Sequence, residues 1–308
     1  MMEKSDATCA IVVTYQPDFG ILQQLLTALQ PQLETVVIVD NTESELVKIW
    51  FEETWQQASF ASFFFLHSDT NEGVAAAHNR GICWAKARHF EYVVLFDQDS
   101  LPAQDMIFSL LAAHRDLETR GVPVCLVGPK YVDNRINQAA SFIKFKNCWM
   151  RRINCSKEIE YHHVEYLITS GSLIKVSVFD TVGLFEASLF IDYVDVEWGL
   201  RANSCGLKSF GVCNAVLMHA MGDKMVKHPL RNASLPLHSP LRNYYMFRNA
   251  ILLYRKSFIP WCWKMTDGWR LILRFIFYAV YSAPRWHRIQ MMGRGVWHGL
   301  RGETGRYH

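Results

Sequence analysis

The stretch Glu91-Tyr92-Val93-Val94-Leu95-Phe96-Asp97-Gln98-Asp99-Ser100 decides how the chain is read. Five apolar residues run into two carboxylates at i and i+2, and Pro102 follows closely. A short continuous apolar run bounded by chain-breaking residues is expected for a strand buried on both faces, as in a parallel sheet. Asp97 and Asp99 then stand at its carboxyl end, where open α/β sheets bind ligands. On an extended strand i and i+2 point the same way, so both carboxylates could reach one hard cation through oxygen. D-x-D is also a common tripeptide, and solvated aspartates at a strand exit are the plain alternative.

The residues before this strand repeat one pattern. Residues 9–15 (Cys-Ala-Ile-Val-Val-Thr-Tyr) predict a first strand, and Leu22, Leu25, Leu26 and Leu29 follow at helical spacing up to Pro31. Residues 35–41 predict a second buried strand ending in Asp40-Asn41, followed by a helix carrying Leu46, Ile49 and Trp50. Residues 62–66 predict a third strand, and the Ala-rich residues 73–88 a third helix. Such alternation predicts an α/β fold with a mostly parallel, doubly wound sheet. Each strand ends in polar groups: Thr14/Tyr15, Asp40/Asn41, His67/Asp69 and Asp97/Asp99. Four such ends on one edge describe a polar crevice large enough for a nucleotide. No G-x-G-x-x-G or Walker sequence occurs, so an ordinary dinucleotide or P-loop site is not supported.

The segment Asn71-Glu72-Gly73-Val74-Ala75-Ala76-Ala77-His78-Asn79-Arg80-Gly81 reads as a loop entering a helix with small residues in its first turns. Small residues allow close approach to a sheet or a ligand, and the helix start offers N–H groups to a phosphate. Tight helix–sheet packing without a ligand explains the same residues.

The 308 residues suit one large domain, or a domain with an appendage, and a 50% hydrophobic, 20% charged composition is that of a globular chain. Eight cysteines without a C-x-x-C pair predict reduced thiols, and argue against zinc. Residues 1–9 are too polar for a signal peptide. The net charge of +3 is unevenly spread. From Arg242 onward there are twelve Lys/Arg against Asp267 and Glu303, leaving twenty Lys/Arg and twenty-seven acids in residues 1–241. An acidic body followed by a basic, Trp-rich tail points to an anionic membrane face or nucleic acid.

The ordered set V-V-T-Y, V-D-N, N-E-G-V-A-A-A-H-N-R-G and F-D-Q-D-S resembles family 2 glycosyltransferases of the GT-A fold. It is most similar to bacterial dTDP-rhamnosyltransferases of surface polysaccharide synthesis. The resemblance covers roughly residues 8 to 250, which sets an expected catalytic domain of 1–250 and a helical extension of 251–308. It implies that Thr14, Tyr15 and Asp40 bind the base and ribose of a nucleotide sugar. Asn71, Gly73, Asn79 and Asp97 would line the same site, and Asp97 with Asp99 would hold Mg²⁺ or Mn²⁺. The Ser-Gly-Ser turn within residues 167–176 falls where the family has its acceptor-side strand. Phe190-Ile191-Asp192-Tyr193-Val194-Asp195-Val196-Glu197-Trp198-Gly199-Leu200-Arg201 is similar to the family's base-bearing E-D-x-D block. Val194 replaces the first Glu of that block, so Asp195 and Glu197 both stay open as the base. Either acid would sit near a helix start, where the macrodipole favours its ionised form. The resemblance puts His219 close to the diphosphate and metal. It also makes Arg242 and Arg248, in His238-Ser239-Pro240-Leu241-Arg242-Asn243-Tyr244-Tyr245-Met246-Phe247-Arg248-Asn249, contacts to phosphate or acceptor. Its implied donor is dTDP-L-rhamnose and its implied acceptor a lipid-linked saccharide, with inversion at the anomeric carbon.

In the tail, Met265, Trp269, Ile272, Leu273, Ile276 and Val280 share one face of a helix, with Asp267, Arg270 and Arg274 on the other. The longest uncharged run after Arg274, residues 275–284, falls short of the roughly 20 residues that span a bilayer. An amphipathic helix with Trp opposite Arg suits the plane of a membrane interface, predicting a cytoplasmic protein peripheral on the inner membrane face. Packing of that helix on the body, or across a homodimer, is the alternative. Arg/Trp interleaving also suits nucleic acid, but no nucleic-acid fold signature accompanies it, so none is expected as partner. Two further readings remain for the whole chain. The F-D-Q-D-S motif is similar to the nucleophile motif of haloacid-dehalogenase phosphatases, with Gly222-Asp223-Lys224 as a later motif. A dead transferase fold serving as a membrane assembly protein is the other.

Overall fold

The computed structural model describes residues 5–55, 62–133, 138–139, 141–146, 149–155, 160–219, 224–227 and 234–308. Its first half alternates β1 (Ser5–Thr14), α1 (Phe19–Leu29), β2 (Leu33–Asp40), α2 (Leu46–Thr54), β3 (Ser62–His67), α3 (Val74–Ala87) and β4 (Tyr92–Asp97). These four strands pair in parallel in the order β4-β1-β2-β3. The second half begins with β5 (Ser100–Pro102), α4 (Met106–Thr119), β6 (Val124–Asp133), β7 (Gln138–Ala139), β8 (Phe142–Lys146), β9 (Trp149–Ile153) and β10 (Tyr161–Val164). It continues with β11 (Leu173–Lys175), α5 (Val178–Val182), α6 (Val194–Ser204), β12 (Lys208–His219), β13 (Lys224–Lys227) and β14 (Ser234–Leu237). The sheet extends from β4 through β11, β6 and β12 to β10. β11 is antiparallel to both β4 and β6, whereas β12 runs parallel to β6.

The unbroken apolar runs have a direct explanation. Along β4, Val93 and Leu95 enter one core while Tyr92, Val94 and Phe96 enter the other. β1 and β2 divide their residues between the same two cores. With both faces covered, no position is left for the polar alternation of a half-exposed strand.

Three helices close the chain: α7 (Pro240–Tyr254), α8 (Trp261–Tyr281) and α9 (Arg285–Arg301). Residue 250, the expected boundary, falls inside α7. Met246, Phe247, Ala250, Leu253, Trp263, Leu271 and Met292 join the same core as β1 and β4, so this region packs onto the body. α9 lies close on α7 because Gly295 and Gly299 face its backbone: a Cβ would come within 2.5 Å of Tyr244 O at Gly295 and 2.8 Å of Arg248 O at Gly299.

Two expectations are corrected. Gln98 and Asp99 form a turn, so strand alternation does not aim Asp97 and Asp99 together; the chain reverses there so that β5 can pair antiparallel with β12. The thiols are not all reduced either. Cys155 and Cys213 form a disulfide with Cα atoms 5.5 Å apart, and Cys262 is also disulfide-bonded. The Cys155–Cys213 bond joins the residue pair across 58 positions of sequence, a separation with no local sequence signature. Cys9, Cys83, Cys125 and Cys205 are free thiols.

Gly295→Ala is expected to destabilise the protein by about 2 kcal/mol, since the added methyl must push α9 off α7. Thermal unfolding of the purified variant against Gly293→Ala, where nothing lies within 4 Å, checks this.

Candidate active site

The carboxyl ends of β1, β2, β3 and β4 form one edge. Thr14 donates its hydroxyl to Asp40 Oδ1 at 2.8 Å, the Thr42 N–H donates to the same oxygen at 3.1 Å, and His67 Nδ1 lies 3.2 Å from Oδ2. Asp40 is fully buried, so its two oxygens organise the edge from beneath. Tyr15 stands exposed beside it. Gln98, to which the sequence analysis gives no role, joins β4 to β1: it accepts from the Tyr15 N–H at 2.7 Å and donates to the Tyr15 carbonyl at 3.1 Å.

Ser170, in the Ser-Gly-Ser turn, connects this edge to the second half of the sheet. Its hydroxyl accepts from the Asp97 N–H at 3.1 Å and lies 2.6 Å from Ser100 Oγ. Its carbonyl accepts from the Tyr131 hydroxyl at 2.9 Å. Burial lifts the Tyr131 phenol well above its ordinary pKa, with Asp195 and then Asp97 adding to the effect, so one hydroxyl feels both acids. Asp97 is partly exposed and Asp99 exposed. The backbone of His219 pairs with Ser100, which brings the end of β12 beside the Asp97–Asp99 turn.

Asp195 and Glu197 lie in the first turn of α6, as expected, but in different settings. Glu197 is fully buried, accepts from Arg201 at 2.9 and 3.1 Å and meets Lys256 Nζ at 3.2 Å. Two cations occupy that carboxylate. Asp195 is partly exposed and lines a small cavity with Leu95, Leu167, Thr169, Phe185 and Trp198. Burial pushes its pKa up to about 6; the Val196 N–H opposes the shift, and the Asp192 and Asp97 charges reinforce it. Of the two acids, Asp195 is the one near Asp97 and poised to exchange a proton near neutral pH.

The turn before α6 is built with care. Phe190, Asp192 and Tyr193 all adopt left-handed φ of 65 to 67°. Asn249 donates to the carbonyls of Leu189, Ile191 and Asp192 at 2.8–2.9 Å. Arg248, buried against Tyr245, donates to Leu189 O and Gly305 O. Arg242 pairs with the Asp192 carboxylate at 2.6 Å. The expected phosphate or acceptor contacts Arg242 and Arg248 therefore hold the turn that presents Asp195. An arginine fork fits carbonyls and carboxylates as well as phosphates, and the motif alone does not separate these uses.

The start of α3 is similarly engaged. Asn71 Oδ1 accepts from the Gly73 N–H, and the Val74 N–H donates to Phe190 O, both at 2.9 Å. Gly73, with φ 86°, is required here because a Cβ would meet Phe190 O at 2.5 Å. Asn79 binds both the N–H and the carbonyl of Phe185 at 2.9 Å. Asn71, Gly73 and Asn79 thus close α3 onto the 185–190 segment, and these N–H groups are satisfied within the chain.

Among the described residues no group of three or more His, Cys, Asp or Glu could hold a metal. Asp97 and Asp99 nonetheless suit Mg²⁺ or Mn²⁺, because such ions are commonly held by one or two carboxylates with substrate phosphates and water. The Gly222-Asp223 part of the phosphatase reading lies outside the described residues, and Asp97 ends the fourth strand rather than the first, where that family's nucleophile stands.

Residues 9–183 match glycosyl transferase family 2. The chain is 30% identical over 300 residues to dTDP-rhamnosyl transferase RfbF of Shigella flexneri, covering 96% of each. It is 21% identical over 315 residues to low-salt glycan biosynthesis hexosyltransferase Agl10 of Haloferax volcanii, covering 98% of this chain and 97% of that protein. Among solved structures, GalNAc-T7 with UDP, GalNAc and Mn²⁺ superposes with a TM-score of 0.61 at 11% identity. That match covers 96% of this chain but only 56% of the longer one. S. aureus TarS 1-349 in complex with UDP-GlcNAc superposes with a TM-score of 0.55 at 14% identity, covering 95% and 81%. The fold is GT-A.

The setting of Asp195 predicts a pH-dependent stability effect. Its folded pKa, about 6, exceeds the ordinary 3.8, so ionisation costs folding stability fully above pH 6, and that cost fades between 6 and 4. Asp195→Asn should raise Tm by a few degrees at pH 8, with the gain vanishing towards pH 4. Thermal scans of both proteins across that range check it.

Proposed function

This chain belongs to glycosyl transferase family 2, and on that premise we propose that it transfers L-rhamnose from dTDP-L-rhamnose to a lipid-linked saccharide, with inversion, in O-antigen or other surface polysaccharide synthesis. The donor follows the name carried by the Shigella relative. The observation that carries the mechanism is the placement of Asp195 in the first turn of α6, lining the small cavity, where burial pushes its pKa up to about 6 and the Asp192 and Asp97 charges reinforce the shift. Asp195 takes the proton from the acceptor hydroxyl as that oxygen attacks the anomeric carbon. The bond from that carbon to the diphosphate oxygen breaks on the opposite face, and its electron pair leaves with the nucleotide. A single base with no protein nucleophile gives inversion, so a β-linked donor yields an α-rhamnoside. Glu197 is withdrawn from this role by Arg201 and Lys256. Asp97 and Asp99 would hold Mg²⁺ or Mn²⁺, which supplies charge neutralisation for the departing diphosphate. Thr14, Tyr15 and Asp40 form the nucleoside edge.

Purified protein with Mg²⁺ or Mn²⁺ should release nucleotide from dTDP-L-rhamnose, and both Asp195→Asn and Asp99→Ala should reduce this at least 100-fold. The rate should fall about tenfold per unit below pH 6 as Asp195 takes up its proton. Release only from a UDP- or GDP-sugar would replace the donor, and silence with every donor and membrane lipid extract would favour a non-catalytic assembly protein.

The acceptor reading extends to α8. Of the charged residues of α8, Asp267 is buried, accepting from the Tyr193 and Tyr254 hydroxyls, and Lys264, Arg270 and Arg274 are half-buried, while Trp261, Met265, Trp269, Ile272, Leu273, Ile276 and Val280 are exposed. A helix on a water-facing surface carries the reverse pattern. Exposed Trp286, Trp297, Arg285, Arg294 and Arg301 continue the face on α9. No helix among the described residues is long and apolar enough to cross a membrane. These features support a protein peripheral on the anionic inner face of the cytoplasmic membrane. The protein should co-sediment with vesicles containing anionic lipid, and Trp269→Glu with Ile276→Glu should abolish this. No co-sedimentation, with a dimer that the same double variant dissociates, would assign the face to a second copy instead.

A further inference from the structure

Residues 302–307 follow α9 back across the molecule to the nucleoside edge. The Gly305 N–H donates to Ser188 O at 2.7 Å, and Arg248 donates to Gly305 O at 2.6 Å. The Tyr307 N–H donates to the Tyr245 hydroxyl at 2.8 Å, and the Tyr307 hydroxyl accepts from Arg294 at 2.7 Å. Its ring packs 4.4 Å from that of Tyr244. Both neighbours of Arg306 are therefore fixed, and the guanidinium reaches Glu43, three residues beyond β2, at 2.5 Å. Glu43 in turn accepts from the Asn71 backbone. After Glu43, the Tyr15 and Tyr245 phenols are the next groups that act on the Arg306 charge. Tyr15 follows β1, and Thr14 lies opposite Asp40 in the β1–β2 register. Arg306 thus stands over the same crevice edge as Thr14, Tyr15 and Asp40.

Its pairing with Glu43 does not account for this placement. Arg306 and Glu43 are 41% and 46% exposed, and such pairs contribute little to folding. The tail is anchored without it, by the backbone bonds and by Tyr307. Meanwhile the carboxylate that organises the edge, Asp40, has both oxygens engaged by Thr14, Thr42 and His67. A planar fork of N–H donors at this point is matched to acceptors on a ligand. We propose that Arg306 is a donor-binding residue: it leaves Glu43 to donate to a carbonyl of the pyrimidine base of the bound nucleotide, so that a segment beyond the helical region completes the nucleotide site. This rests on the reading of that edge as the nucleoside site.

The test uses dTDP alone, titrated calorimetrically into the whole protein, wild type and variants. Arg306→Ala should keep the wild-type Tm, bind dTDP about tenfold more weakly, as expected for a lost charged hydrogen bond, and raise donor KM similarly with kcat within twofold. Arg306→Lys should recover part of the affinity, and Arg115→Ala, at an exposed position on α4, should bind as wild type. Equal dTDP affinity in wild type and Arg306→Ala overturns the proposal while leaving the nucleotide site intact. A wild-type protein that binds neither dTDP nor UDP overturns the site reading and this inference together.

Discussion

A parallel strand covered on both faces has no solvent side along its length, so its polar groups can emerge only at its ends. That constraint organises this molecule. β1, β2 and β4 run apolar through residues 9–13, 36–39 and 92–96 and then release Thr14, Asp40 and Asp97 at one edge. The antiparallel insertion of β11 beside β4 brings a different turn to that edge. Ser170 arrives there without belonging to the parallel set, and its hydroxyl takes up the Asp97 N–H. The crevice is therefore a seam between two halves of the sheet, with Thr14, Asp40 and Asp97 on one side and Asp195 on the other.

The approach to Asp195 is the costly part. Three non-glycine residues in left-handed conformation, Phe190, Asp192 and Tyr193, cost roughly 1–3 kcal/mol each. They persist because α7 over-determines them: one Asn249 amide serves three carbonyls, while Arg248 and Arg242 hold what lies on either side. α8 adds Asp267, which accepts from the Tyr193 hydroxyl at 2.9 Å. The region after residue 240 thus helps to hold the turn that presents Asp195.

The sequence carried the alternation of the first four strands with three helices and the polar ends of those strands, because two-face burial and helical spacing leave marks within ten residues of each other. It was weaker where partners are distant. Ser100 and Ser170 meet across 70 residues, and Asn79 meets Phe185 across 106. Nothing local to Asn79 separates an amide that binds a nucleotide from one that binds a backbone. Gln98 carried no signal because its role depends on where β1 ends. Arg248 was legible as important but not in function, since a fork that would grip phosphate grips carbonyls instead. The Cys155–Cys213 bond joins residues 58 apart and leaves no local mark either.

The orientation of α8 links these threads physically. Turning Asp267 inward satisfies Tyr193 and Tyr254, and the helical period then forces Met265, Trp269, Ile272 and Ile276 outward. The exposed apolar face is thus a geometric consequence of the same hydrogen bond that steadies the turn before Asp195. If that face lies in a lipid interface, as proposed, the hydrocarbon that holds α8 also holds Asp267 against the turn before Asp195. The lipid surface and Asp195 are then linked through the Tyr193–Asp267 hydrogen bond, which sets the height of Asp195 relative to the surface from which a lipid-linked acceptor would come.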